Sequence, residues 1–151
     1  KEGIKLVTLK EALKLKTQIQ LCNPSPSSWG QGGFHNYWLN ESNAWIVHQW
    51  SKAGREMVSI CSKDKIQESN IKIIKQAGRE LLLCQSSDWS FILKAGTTTK
   101  LARERINLHL KRFWILINAI KDKRIVEESV LAEIEKEDCI FPLISPLDWG
   151  K

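Results

Sequence analysis

The chain has 151 residues, 42% of them hydrophobic, which allows one domain with a real core and places it in the ordinary globular class. No stretch approaches the roughly 18 apolar residues needed to cross a bilayer, and no secretory leader pattern opens the chain, so no membrane association is expected. The formal charge of +6 is uneven: residues 1–16 carry +3, residues 125–151 carry −5, and the middle holds +8.

In chain order, Thr8-Leu9-Lys10-Glu11 has the capping-box spacing and predicts a short helix over about 8–16. Gln18 to Leu21 reads as a brief extended segment. Asn23-Pro24-Ser25-Pro26-Ser27-Ser28 reads as irregular backbone, because proline disfavours helix at the residue before it. Then comes the most unusual stretch, Ser27 to Asn40. It holds Trp29, Phe34, Tyr37 and Trp38 with Gly30, Gly32 and Gly33, and no charged residue. Each glycine would cost about 1 kcal/mol in a helix interior, and flexible linkers lack large aromatics. An ordered loop presenting aromatic faces is expected, suited to sugar rings, nucleobases or a partner surface.

Asn40 or Ser42 can cap the next helix, over about 41–62, whose stripe is Ile46, Trp50, Ala53, Met57 and Ile60. A helix over about 66–87 follows, with Ile74, Ala77, Leu81 and Cys84. Another runs from the threonines at 97–99 to about Lys121, with Ile106, Leu110, Phe113, Ile117 and Ile120. An acidic helix covers about 126–137, and Ile140 to Lys151 is an extended tail expected to pack back on the bundle. No segment alternates at period two. The predicted architecture is all-α: one helical domain over 1–151, a bundle of about four to five helices with an ordered Gly/Trp-rich loop.

Cys22, Cys61, Cys84 and Cys139 form no Cys-x-x-Cys pair, so neither a metal site nor a disulfide framework is expected, and a reducing cytoplasm is the simplest setting. Asn40-Glu41-Ser42 fits the glycosylation sequon but reads as helix-start chemistry. Ala53-Gly54-Arg55-Glu56 recurs as Ala77-Gly78-Arg79-Glu80, which points to close packing at the two glycines rather than to a repeat protein. Of the histidines, His109 beside an apolar stripe reads as a satisfied core or boundary residue. No His-Glu-x-x-His motif, phosphate loop, nucleophile elbow or glycosidase carboxylate pair can be picked out, so no catalytic residue and no cofactor is assigned.

Arg79 to Ile92 passes from an apolar helical turn into Ser86-Ser87-Asp88-Trp89. Those polar residues can cap helix ends. A carboxylate beside an aromatic platform also suits a sugar subsite, the ring stacking on Trp89 and its hydroxyls donating to Asp88. Spacing leaves both readings open.

The string Ser27-Ser28-Trp29-Gly30-x-Gly32-Gly33, then Trp38-Leu39-Asn40, resembles the helical C-terminal part of glycoside hydrolase family 57 α-glucan branching enzymes. Further matches follow in order: Arg55-Glu56-Met57, Gln76-Ala77-x-Arg79-Glu80-Leu81-Leu82-Leu83-x-Gln85-Ser86-Ser87-Asp88-Trp89-x-Phe91-Ile92, Ala102-x-x-Arg105, His109-x-x-x-Phe113 and Phe141-Pro142. They span about residues 24–143. Gly78 departs from the alanine common in relatives, and His35-Asn36-Tyr37 lies where relatives vary.

The resemblance implies an enzyme that cuts an α-1,4-glucan and rejoins the fragment through an α-1,6 bond by a retaining two-carboxylate mechanism. Its catalytic pair would lie in an N-terminal barrel that these residues do not include. The chain opens on Lys1, its only methionine is Met57, and it is expected to be part of a longer protein. Trp29 and Trp38 match the family's cleft-lining tryptophans, and Ser86 to Trp89 its last sequence block. The implied partners are an α-glucan of glycogen or amylose type and the catalytic barrel. The implied substrate-binding residues are Trp29, Tyr37, Trp38, Ser87, Asp88 and Trp89. Two alternatives from other classes are a basic helical module binding nucleic acid through the +8 centre and a scaffold bundle docking a protein. The bland account of the lysines is that they lie on solvated helix faces.

Overall fold

A computed structural model describes residues 3–15, 21–62 and 66–150. Six α-helices occur among them: α1 (Leu9–Leu15), α2 (Ala44–Ile60), α3 (Ile71–Cys84), α4 (Ser87–Ala95), α5 (Thr99–Lys121) and α6 (Glu128–Glu137). Short 3-10 turns cover Gln31–Gly33, Glu68–Asn70 and Pro146–Asp148, and no strand is present among the described residues. The expected all-α class is what forms. The extended segment expected over 18–21 lies mostly outside the described residues.

α1 starts as its spacing predicts. The Thr8 backbone N–H donates to Glu11 Oε2 at 2.9 Å, and the Glu11 N–H donates back to Thr8 Oγ1 at 3.3 Å. The helix buries no residue, and Leu6, Leu9 and Leu13 stay exposed. Five helices are therefore left to make the bundle.

The core is the set of stripes read from periodicity. Ile46, Ala53, Met57 and Ile60 of α2 are buried, as are Ile74, Ala77, Leu81 and Cys84 of α3 and Ile106, Leu110, Phe113 and Ile117 of α5. Trp50 and Ile120 pack partly buried against them. α3 and α5 form the main pair; α2 packs on both, α4 on α5, and α6 and the tail on α3. Leu131 and Ile134 anchor α6.

Two elements differ from the sequence expectation. The helix expected over about 66–87 ends at Cys84, and residues 87–95 form the separate helix α4. The chain breaks because Ser86 is extended (φ −53°, ψ 131°) and takes the N-cap position of α4. The tail contains a 3-10 turn capped by Ser145, which accepts from the Leu147 N–H at 3.3 Å while Asp148 accepts from the Ser145 N–H at 2.8 Å. That turn delivers Trp149 onto α3. A Cβ on Gly78 would lie 2.5 Å from the Trp149 ring, whereas one on Gly54 would meet nothing within 4 Å. Of the two echoed glycines, only Gly78 marks close packing, and it does so against the tail.

The two buried cysteines are inert. Burial pushes the Cys61 thiol up to about 11, and burial with the nearby Glu80 charge pushes Cys84 up to about 12.

Candidate functional site

The aromatic loop is ordered, and its glycines are required. Gly32 and Gly33 have φ of +70° and +75°, where a side chain would be strained. Gly30 is buried, and a Cβ there would meet the Trp38 ring at 2.8 Å and the Phe34 carbonyl at 2.9 Å. Ser28 closes the loop: its hydroxyl donates to the Phe34 carbonyl at 2.5 Å and accepts from the Gly30 N–H at 3.1 Å, while its own N–H donates to the Gly33 carbonyl at 2.8 Å.

This tight backbone presents three of the expected aromatics together, joined by a fourth from α4. Trp29 stands edge-on to Trp38, ring centroids 5.2 Å apart at 81°, and leans over Phe91 at 5.7 Å. Tyr37 stacks on Phe91 at 4.8 Å and 16°, and meets Trp38 edge-on at 6.4 Å. Trp29 nevertheless keeps 76% of its surface open. The result is an aromatic surface with Phe91 as its floor.

Asn43 holds the loop to α4. Fully buried at the N-cap of α2, its amide nitrogen donates to the Tyr37 carbonyl at 3.0 Å and the Ser90 carbonyl at 3.1 Å. Its side-chain oxygen accepts from the Asn40 N–H at 2.8 Å. Asn40 itself serves as a turn: its side-chain oxygen accepts from the N–H of Ser42, and its amide donates to the Asn36 carbonyl at 2.7 Å. The cap expected at Asn40 or Ser42 falls instead at Asn43, and Asn40 and Ser42 form the turn that leads into it.

The remaining expected residues lie at the start of α4. Asp88 is exposed in its first turn and accepts from the Ser86 hydroxyl at 2.9 Å. It sits three residues before Phe91, on the same side of the helix. Ser87 lends its carbonyl to the Ser90 hydroxyl at 3.0 Å. Trp89 is half-buried against the core, and its indole N–H donates to the Leu83 carbonyl at 2.8 Å, closing the end of α3. Its ring is paired with none of the aromatics of the loop among the described residues. The structure brings Trp29, Tyr37 and Trp38 together and places Asp88 one turn before Phe91 on α4, while Trp89 faces inward.

Two groups escaped the sequence reading. Phe91 could have been found from its helical spacing to Asp88 had α4 been separated from α3. Asn43 gave no signal, because an asparagine before a helix is ordinarily only a cap.

A second polar cluster lies inside the bundle. His109 Nδ1 is 2.8 Å from Glu80 Oε2 and 3.7 Å from Asp138 Oδ2. These groups could in principle ligate a cation, their donor atoms all lying within 4.8 Å of one another. Each is already engaged. Gln76 donates to Glu80 at 2.8 Å, and Arg112 donates to Asp138 at 2.6 Å and pairs with Glu137. The donor set fits an internal network better than a metal, since the Arg112 guanidinium would repel the ion. His109 is thus a satisfied core histidine that ties α3, α5 and the end of α6 together.

An all-helical bundle with an ordered Trp/Gly loop docked on a short helix is the class that fold and site define. Residues 49–149 match the family described as 1,4-alpha-glucan branching enzyme, C-terminal. The chain belongs to that family. It is 31% identical over 147 residues to the 1,4-alpha-glucan branching enzyme TK1436 of Thermococcus kodakarensis, an alignment covering 92% of this chain and 21% of that protein. Among solved structures it is similar to the GH57-type branching enzyme of Pyrococcus horikoshii, with a TM-score of 0.86 at 30% identity, covering 99% of this chain and 29% of the other. It also resembles the novel alpha-amylase AmyC of Thermotoga maritima, with a TM-score of 0.78 at 31% identity, covering 100% of this chain and 27% of the other. The chain therefore spans less than a third of the length of these relatives.

Proposed function

We propose that this chain is the glucan-contacting helical part of a 1,4-α-glucan branching enzyme, lining the acceptor side of the cleft and supporting transfer performed by a catalytic barrel elsewhere in the protein. The observation that carries this reading is the aromatic cluster of exposed Trp29 with half-buried Tyr37, Trp38 and Phe91 in a chain of the branching-enzyme C-terminal family. Flat rings with one open face suit the apolar faces of glucosyl units. Asp88 at the edge can accept from sugar hydroxyls. Ser87 and Trp89 contribute by holding the start of α4, which carries Phe91. Covering the site also disfavours water, as a transferase needs if a sugar hydroxyl is to reach the glycosyl intermediate first.

The partner domain has a candidate resting place. An apolar groove of about 470 Å³ runs along α2, lined by Val47, Trp50, Gly54 and Val58 among others. The cytoplasm is the setting we propose, where exposed thiols such as Cys22 and Cys139 stay reduced. No helix among the described residues is long and apolar enough to cross a membrane.

Part of the basic centre is paired with the acidic end of the chain, Lys72 with Glu128 and Glu135 and Arg112 with Glu137 and Asp138, which weighs against the nucleic-acid alternative.

Titrating maltoheptaose into the chain, followed by tryptophan fluorescence and backbone NMR shifts, tests the reading. Perturbations centred on Trp29, Trp38 and Phe91 that are the same at low and high salt are expected. A steep loss with salt would point to phosphate-type binding, and no response at millimolar sugar would leave the aromatics a protein-docking face. Since one structural neighbour is named an α-amylase, the full-length protein should also be given amylose. New α-1,6 branch points are expected; reducing ends without branches would overturn the transferase reading.

A further inference from the structure

A pocket of about 400 Å³ opens beside the aromatic surface, lined by Asn36, Asn40, Glu41, Ser42 and Lys94. That volume lies in the range of small-ligand sites. Asn40 and Ser42 are engaged with each other and with the local backbone, which fixes the floor of the pocket. The side chains of Asn36, Glu41 and Lys94 make no hydrogen bond or ion pair among the described residues. An amide, a carboxylate and an ammonium therefore share one concavity without pairing.

The pocket is built from the same two elements that carry the aromatic surface, the loop and α4. Asn36 directly precedes Tyr37. Lys94 follows Phe91 by three residues on α4, on the same side of the helix and about 4.5 Å further along it. That advance is comparable to the length of one pyranose ring in a chain. Asn43 pins both walls, bonding the carbonyls of Tyr37 and Ser90, so their separation is set by a buried side chain.

Charge selects the ligand class. Glu41 opposes a phosphate or carboxylate, and Lys94 opposes an ammonium. A neutral polyol satisfies both, since its hydroxyls donate to Glu41 and accept from Lys94, with Asn36 able to do either.

We infer that Asn36, Glu41 and Lys94 form an outer subsite that takes a further glucosyl unit of an α-glucan lying on the Trp29–Tyr37–Trp38–Phe91 surface, so that the domain favours longer chains over short ones. The inference rests on the proposed glucan-binding reading, and the test separates the two. Maltose and maltoheptaose are titrated into the wild-type chain, into Glu41→Gln/Lys94→Met and into Trp29→Ala, with circular dichroism verifying that each variant is folded. The wild type should bind maltoheptaose more tightly than maltose. Glu41→Gln/Lys94→Met should lose at least about tenfold in maltoheptaose affinity while maltose binding holds, in keeping with the loss of at least one bond to a charged group. NMR shifts at Asn36 should appear with the longer sugar only. Trp29→Ala should weaken both sugars. If the double variant keeps the full wild-type preference for the longer sugar, the outer subsite is wrong while the aromatic reading stands. If the wild type binds neither sugar, both fall together.

Discussion

Buried Asn43 makes three side-chain hydrogen bonds, to the carbonyls of Tyr37 and Ser90 and from the N–H of Asn40. Replacing it with alanine strips partners from buried backbone groups, which costs about 1–3 kcal/mol for a group left unsatisfied. Asn43→Ala should lower the urea midpoint accordingly and also change Trp29 fluorescence, because the loop is released from α4. A destabilised variant with unchanged Trp29 emission would show that the loop is held by its own glycine turn alone. Gly78 offers a second test at this scale. Gly78→Ala places a methyl against the Trp149 ring and Ile144, and overpacking of this kind costs about 1–3 kcal/mol. Combining it with Trp149→Leu should recover much of that loss, as expected for two residues in direct contact. Additive losses in the double variant would mean that alanine strains α3 itself.

Among the elements, α6 depends on its charges more than its length suggests. It buries only Leu131 and Ile134, and its last residues bond Arg112 of α5. The hydrogen bond and charge of Arg112 hold the Glu137 carboxyl below the ordinary carboxylate value. A folded-state value that is depressed stabilises the fold above the ordinary value, and the contribution is lost as pH falls through the folded one. Amide protection at the end of α6, taken relative to intrinsic exchange, should therefore be full at neutral pH and fall on the acid side of the usual carboxylate range. Arg112→Met should lower that protection already at neutral pH and flatten its pH dependence. An unchanged profile in the variant would remove Arg112 as the cause. α4 shows how much one break can matter. Had helix continued through Ser86, the turn that aims Phe91 at Tyr37 would not exist.

The whole molecule reconciles a charge distribution that looks divided along the chain. The basic middle and acidic end meet through Lys72, Arg112 and Glu128, Glu135, Glu137 and Asp138, so a polyanion finds less bare cationic surface than the linear sequence implies. The tail closes the same side, with Trp149 on Gly78 and Arg79 donating to the Ile140 carbonyl at 2.8 Å. Truncating after Ile144 removes the Ser145-capped turn and Trp149. Trp149 is half-buried against the core, so its loss costs at most about 3–5 kcal/mol, and thermal unfolding should shift down by roughly 5–15 degrees. A truncated chain that melts like the wild type would show the tail to be decoration.

The sequence by itself determined the helical class, the buried stripes of α2, α3 and α5, the capping box of α1 and the identity of the aromatic loop. These are local properties, because apolar period and glycine content act within a few residues of chain. It also carried the resemblance to the family, through the blocks at 27–40 and 76–92, and the family model matches residues 49–149. What only the tertiary structure decided is which side chains meet. Trp89 had the same credentials as Trp29 in the sequence, yet it turns inward to the Leu83 carbonyl while Phe91 turns out to Tyr37. Glu80 and His109 are 29 residues apart and become partners only because α3 and α5 pack face to face. Period specifies which face of a helix is buried, but the neighbour it is buried against is set by how the whole bundle closes.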